Sequence, residues 1–230
     1  MAKPNSLNIT FSTDTLIKGL AITCAALLVI HIFLTVVHYR FIELPWLLRE
    51  LFDVDEEESV PTWFSSGLLL LTAVVLFLIA HLSQQCKDRY AIYWLGLGLG
   101  LGIGFAFMSA DEIAGFHETL NSITETSWAV PGLILALLIG VFYLKFLSSL
   151  PAPVAVRFMM SGAIFVGGAI GIELATEPYL YEDALDTLSY NLWTPVEEGM
   201  EMGGVILFLA SLFDYLKSQY SMQLHFLPKH

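Results

Sequence analysis

The hydrophobic and polar positions of this chain alternate on a long scale, with extended apolar stretches separated by short polar connections. Each stretch is about 20 residues long, which is the length that an α-helix needs to cross the ~30 Å hydrocarbon core of a bilayer. The stretches are residues 16–39, 61–83, 90–112, 128–149, 154–177 and 195–217, and the third helix is predicted to continue beyond its stretch and to span 90–118. We therefore predict an all-α polytopic membrane protein, a six-transmembrane-helix bundle forming a single transmembrane domain over residues 1–230.

The composition supports a membrane class, since 56% of the residues are hydrophobic and only 14% are charged. The first apolar stretch follows a polar leader and lacks a small-residue cleavage site, so we expect it to remain as a helix. Cys24 and Cys86 provide neither a disulfide framework nor a metal-ligand spacing. The net charge of −12 argues against nucleic acid as a partner and leaves the lipid bilayer as the expected one.

The charged residues sort to opposite sides of the predicted bundle. Only Arg40 and Arg49 among the ten basic residues fall on the side that holds most of the acidic residues. By the positive-inside rule, both the N and the C terminus are predicted to be cytoplasmic, and the loops after the first, third and fifth spans face outward.

Several local patterns predict how the spans begin and pack. Residues 41–52 have apolar positions at helical spacing, which indicates an amphipathic segment along the outer interface. The acidic run 53–58 reads as a solvated charge run, and Ser59 with Pro61 suits the start of the next helix. The glycines spaced along residues 96–104 favour a central position for the third span.

The third span ends in an unusual polar segment, residues 108–118, with the sequence MSADEIAGFHE. Ionisable groups at membrane depth are costly and mark a functional site by default. With a rise of about 1.5 Å per residue, acids or histidines of four spans fall roughly 5 to 20 Å outward of the midplane. These candidate site residues are Asp111, Glu112, His117, Glu118, Glu173, Glu198, Glu201, His38 and His31.

Each of these residues also has a structural interpretation. Thr194-Pro195-Val196-Glu197 matches a capping box, so Glu197 is as well explained as a helix cap as a ligand. His31 fits a neutral histidine that is hydrogen-bonded inside the bundle, and His38 and Glu118 fit the interface. A straight third helix would also spread Asp111, Glu112, His117 and Glu118 over more than half its circumference, so all four cannot bind one ion.

Carboxylates held close together in a low dielectric must share protons, pair with cations or bind metal. The candidate set predicts a site for one or two divalent transition metal ions. Carboxylate and imidazole ligands favour iron, manganese or zinc over copper, although Met108 lies nearby.

The acidic motifs also carry a family resemblance. Asp111-Glu112-x4-His117-Glu118 and Glu197-Glu198-x2-Glu201, with the Pro61-Thr62-Trp63-Phe64-Ser65 segment, resemble a group of uncharacterised bacterial multi-pass membrane proteins. The resemblance spans about residues 50 to 205. It implies a bacterial plasma (inner) membrane and brings no activity with it.

Three functions remain open from the sequence. The first is a metal site serving an oxidoreductase or hydrolase that acts on a lipid-like or quinone-like molecule arriving from the bilayer. The second is a proton- or cation-coupled transporter, in which the carboxylates bind and release their ions during alternating access. The third is a structural subunit of a membrane complex or a homo-oligomer that packs through its glycine faces.

Overall fold

The computed structural model describes residues 12–87, 89–116, 129–182 and 184–220, and every regular element within them is helical. We number seven helices in chain order. They are α1 (Thr13–Arg40), α2 (Trp46–Phe52), α3 (Val60–Gln85), α4 (Ala91–Ala114), α5 (Ala129–Ser149), α6 (Ala152–Leu180) and α7 (Thr194–Gln219).

All of these helices except α2 are long and apolar enough to cross a membrane, so the chain is a multi-pass membrane protein with an all-α fold. The predicted bounds differ most in the third span, which was expected to continue to residue 118. Helix α4 ends at Ala114 because Gly115 adopts a left-handed conformation, with φ of 56°, and its N–H bonds to the Asp111 carbonyl. Such a glycine is a common helix terminator.

The two central helices of the bundle are α3 and α7. In each of these two helices, 56% of the residues of the apolar 18-residue membrane segment are buried inside the structure, whereas the share is 17% for α4 and 6% for α5. The expectation that the glycine-rich third span is central is therefore wrong. A methyl group at Gly96 or Gly104 would meet nothing within 4 Å, so these glycines line an outer face of α4.

Helices α6 and α7 approach each other closely at two glycines. A methyl group at Gly204 of α7 would lie 2.9 Å from the Ser161 carbonyl oxygen and from the Phe165 backbone nitrogen. A methyl group at Gly168 of α6 would lie 2.8 Å from the Glu197 carbonyl oxygen. The backbones of α6 and α7 are therefore in close contact at Gly168 and Gly204, and we call this contact the α6–α7 seam. Small residues commonly allow transmembrane helices to approach each other in this way.

One end of the bundle, which we call the terminal end, holds the first residues of α1 and the last residues of α7. Lys217 Nζ lies 2.5 Å from Asp14 Oδ1, and Arg157 pairs with Asp214. Buried Trp94 donates from Nε1 to Tyr215 Oη at 2.8 Å. Next to these contacts lies a fully buried apolar core that includes Leu76, Ile79, Phe146, Leu209 and Leu212.

The opposite end holds α2 and the starts of α3 and α7. The predicted start of α3 is confirmed, since Ser59 Oγ accepts from the Thr62 backbone N–H at 3.2 Å and Pro61 lies in the first turn. In the predicted amphipathic segment, α2 leaves Trp46 and Leu47 exposed, and Phe41 just before it is exposed too. Its location in the membrane interface stays a prediction.

Candidate functional site

The end opposite the terminal end collects carboxylates from four segments of the chain. We call them the carboxylate group. Its members are Asp55 before α3, Glu112 of α4, Glu173 of α6, and Glu197, Glu198 and Glu201 of α7.

The members of the group act on one another electrostatically. Glu201 interacts with the charges of Glu112, Glu173 and Glu197. Glu198 interacts with those of Glu201, Glu112, Glu197 and Asp55. In the described part of the chain, no lysine or arginine is among the charges that act on the three α7 glutamates. Like charges held close in a low dielectric disfavour full ionisation of all of them.

The α6–α7 seam explains why Glu173 meets α7. The backbone approach at Gly168 brings α6 against the turn that carries Glu197 and Glu201, and a methyl group at Gly168 would lie 3.1 Å from Glu201 Cγ. Residues Gly167–Ile172 form a π-helical segment directly before Glu173. Segments of this kind occur often at functional sites.

Tyr190, in the connection before α7, contacts the carboxylate group. Its hydroxyl donates to Asp55 Oδ2 at 3.3 Å, and the charges of Asp55, Glu173 and Glu197 act on it. Its ring packs beside that of Tyr179, with 5.8 Å between the centroids. Sequence reasoning missed Tyr190 because it lies in the connection before α7, outside the periodic apolar pattern.

Glu57 and Gly115 form a second contact that the sequence did not predict. A methyl group at Gly115 would lie 1.6 Å from Glu57 Oε1, so the carboxylate occupies the space that a side chain would need. Gly115 is therefore required both for its positive φ and for this approach. The run 53–58 is expected to be a solvated charge run, and Asp55, Glu56 and Glu58 are exposed. Within the run, Glu57 also contacts the end of α4, and Asp53 lies against His31.

His31 lies elsewhere, in a buried junction between α1, the α2–α3 loop and the start of α7. Its Nε2 lies 3.2 Å from the Asn191 carbonyl oxygen, and its Nδ1 lies 3.3 Å from both the Val54 backbone N–H nitrogen and Asp53 Oδ1. Since the Asn191 carbonyl can only accept, Nε2 carries a proton. These contacts match the structural interpretation of His31, and the structure does not bring this residue into the carboxylate group.

His38 likewise belongs to a polar contact between α1 and α2. Its Nε2 lies 3.1 Å from Arg49 Nη1, and its Nδ1 lies 3.1 Å from the Leu44 backbone nitrogen. The Arg49 guanidinium also lies over the Tyr39 ring, 5.8 Å from its centroid. Because these contacts place the His38 ring between α1 and α2, the structure does not bring this residue into the carboxylate group.

Of the remaining predicted site residues, one is described by the structure and two are not. Asp111 is half-buried in the last turn of α4, and its charge is not among those acting on the α7 glutamates. His117 and Glu118 lie outside the described residues. The structure thus brings together Glu112, Glu173, Glu198 and Glu201 of the predicted set.

The predicted capping box at the start of α7 does not form. Trp193 is the residue before the helix, and no side chain caps it. The Thr194 hydroxyl points instead toward His31 Nε2, at 3.4 Å. Glu197 is consequently available to the carboxylate group instead of closing a helix end.

The described residues do not form a ready-made metal centre. No group of three histidine, cysteine, aspartate or glutamate side chains among them is arranged to hold a metal ion. Among the described residues, the carboxylate group offers only oxygen donors, since His31 and His38 make other contacts. Oxygen-only sets suit magnesium, calcium and manganese better than zinc or copper.

Comparison with known protein families assigns the chain to one family. Residues 19–216 match the model of a domain of unknown function, DUF8692. The chain belongs to the DUF8692 family. No curated protein and no solved structure matches it. The match confirms an uncharacterised family over most of the chain, while the bacterial origin remains a prediction.

Proposed function

We propose that this DUF8692 protein binds a divalent cation in its carboxylate group. The observation that supports the proposal is the convergence of carboxylates from four segments, with no described lysine or arginine among the charges acting on the α7 members. Burying several like charges destabilises a fold unless cations or protons compensate them. A cation would draw the carboxylates together through rotamer changes, since Glu112, Glu173, Glu198 and Glu201 belong to different helices or turns.

The ligand chemistry favours a cation that prefers oxygen. Manganese fits both this set and the transition metals predicted from the sequence, because oxygen ligands suit manganese better than iron or zinc, which favour imidazole. In a bacterial plasma membrane with cytoplasmic termini, the group would face outward. A bound cation there could polarise a water molecule or the polar end of a lipid-like molecule.

Alternating-access transport is less well supported by the interior of the bundle. No Asp, Glu, Lys, Arg or His occurs in residues 60–80 of α3 or in residues 202–213 of α7. The fully buried Trp94, Phe146, Leu209 and Tyr215 fill the space toward the terminal end. A path for ions across the membrane would have to pass through this apolar packing.

Elemental analysis tests the proposal. The protein is purified in mild detergent, without chelator or histidine tag, and its metals are measured by inductively coupled plasma mass spectrometry. We expect a divalent metal near or above one per chain, lost in Glu201→Ala and in Glu112→Ala, and retained in Asp214→Ala at the other end of α7. Folded wild-type protein without metal, and without uptake of added manganese or calcium, would refute the proposal.

A further inference from the structure

An apolar cavity lies inside the bundle between α4, α5, α6 and α7. It has a volume of about 170 Å³, and aromatic rings dominate its wall: Phe105, Tyr143, Phe146, Phe158, Phe165 and Phe208. The rings of Phe105 and Phe208 stack with 5.3 Å between centroids, and Phe158 meets Phe208 edge-on at 4.6 Å. An apolar cavity of roughly 150 Å³ stays dry and can take up a molecule the size of benzene.

The cavity opens beside α5 to the surface that faces lipid. Ile139 and Gly162, which both line it, are exposed. Helix α5 is also the least buried of the spanning helices in the described structure. Since this surface lies within the apolar spans, the medium outside the opening is hydrocarbon, and the molecules that can enter are those dissolved in the bilayer.

The wall of the cavity leads to the carboxylate group. On α7, Gly204 and Val205 line the cavity one turn from Glu201 and on the same face. On α4, Phe105 precedes Glu112 by two turns on the same face. On α6, Phe165 lines the cavity, and Gly168 in the next turn lies against Glu201.

We infer that this cavity binds the apolar chain or ring of a bilayer amphiphile whose head group reaches the carboxylate group. Charge complementarity selects the head group. An amine is attracted by the carboxylates, whereas an acidic head group would add to their repulsion. The inference names the substrate class of the proposed cation site and in that respect rests on the proposed function.

Photolabelling in liposomes tests the inference. The probes are a long-chain alkylamine and a carboxylic acid of equal chain length, each with a diazirine in the chain, added to proteoliposomes that contain a chelator. The variant Gly162→Leu adds a side chain at the exposed wall of the cavity without a clash at its Cβ, because a Cβ at Gly162 meets nothing within 4 Å. Gly140→Leu on α5 is the matched control, since its Cβ is equally unobstructed and Gly140 does not line the cavity.

We expect the amine to label peptides that contain Phe158, Phe165 or Phe208 in a saturable manner. Labelling should fall roughly tenfold or more in Gly162→Leu, as for a ligand excluded by added side-chain volume, and stay unchanged in Gly140→Leu. Labelling that rises linearly with probe and is equal in both variants would mean bulk lipid only and overturn the inference. Equal saturable labelling by the acid would overturn the head-group assignment.

The two proposals fail separately. Because the labelling is done in chelator, loss of metal binding leaves the cavity result unaffected. If Gly162→Leu retains the metal content of the wild type and loses the label, the cavity and the cation site are distinct parts of one site. A folded Gly162→Leu protein that keeps the label refutes the cavity alone.

Discussion

Helix α7 carries carboxylates at both of its ends, and their surroundings differ. At the terminal end, Asp214 pairs with Arg157, and Asp14 of α1 lies 2.5 Å from Lys217. At the opposite end, the charges acting on Glu198 and Glu201 are those of other carboxylates. The same chemical group therefore joins helices at one end and repels its neighbours at the other.

We propose that this difference separates carboxylates that join helices from carboxylates that bind a cation. The ion pairs of the terminal end are partly exposed, and such pairs contribute little to stability. If the proposed function is right, the carboxylate group lowers stability until a cation or protons bind. Its assembly from four segments then serves binding and not folding.

The largest expected effect comes from breaking the junction that holds the carboxylate end together. His31→Ala removes the hydrogen-bonding groups next to the Val54 N–H and the Asn191 carbonyl, and each buried group left unsatisfied costs about 1–3 kcal/mol. We expect a clear fall in the free energy of unfolding, measured by thermal unfolding in detergent. His81→Ala, at an exposed position, is the control and should have little effect. Equal stability of the two variants would contradict the structural role of His31.

A smaller effect is expected from separating the two helices that carry Glu173 and Glu201. Gly168→Ala places a methyl group 2.8 Å from the Glu197 carbonyl, and overpacking of this kind costs about 1–3 kcal/mol. Gly171→Ala, where a Cβ meets nothing within 4 Å, should be neutral or slightly stabilising. We also expect weaker manganese uptake in Gly168→Ala than in Gly171→Ala. Identical unfolding temperatures and metal contents would argue against the close seam.

Replacing a carboxylate by its amide should have opposite signs at the two ends. In chelator, Glu201→Gln removes repulsion and should raise the free energy of unfolding by about 1 kcal/mol or more. Asp214→Asn removes an ion pair at a half-exposed site and should lower it by about 0.2–1 kcal/mol. The two variants are compared in one thermal unfolding experiment. A change of the same sign in both would show that the ends do not differ as described.

The smallest effect concerns salt. The pair between Asp14 and Lys217 is exposed, so Asp14→Asn should lower the free energy of unfolding only slightly at low ionic strength. In 1 M salt the cost should vanish, since the screening length falls to roughly 3 Å. Unfolding at several salt concentrations measures this. A cost that persists at high salt would mean that Asp14 acts through packing.

The sequence predicted the spans well because apolar length reports membrane crossing directly. Depth along a helix follows from the rise per residue, which is why the sequence could assign Glu112, Glu173, Glu198 and Glu201 to one end of the bundle; their role as ligands stays a prediction. The sequence failed on the centre of the bundle, since glycine spacing shows where a close approach is permitted and not whether a neighbour uses it. Gly204 and Gly168 make the close contacts, while Gly96 and Gly104 face outward.

The residues that the sequence missed lie in connections. Asp55, Glu57 and Tyr190 precede helices or follow them, and no periodic pattern fixes where a connection folds back. His31 was ambiguous for a related reason, because its contacts come from Val54 and Asn191, 23 and 160 residues away in the chain. Only the tertiary arrangement of those connections assigns it to the junction.

The most direct test of cation binding is the shift in unfolding temperature when manganese is added to chelator-treated protein at fixed pH. A ligand present at 100 times its dissociation constant stabilises the folded state by about 2.7 kcal/mol. We predict a rise for the wild type and for Asp14→Asn/Asp214→Asn, and none for Glu198→Gln/Glu201→Gln. No rise in the wild type with manganese or calcium, or an equal rise in the Glu198→Gln/Glu201→Gln variant, would contradict the account.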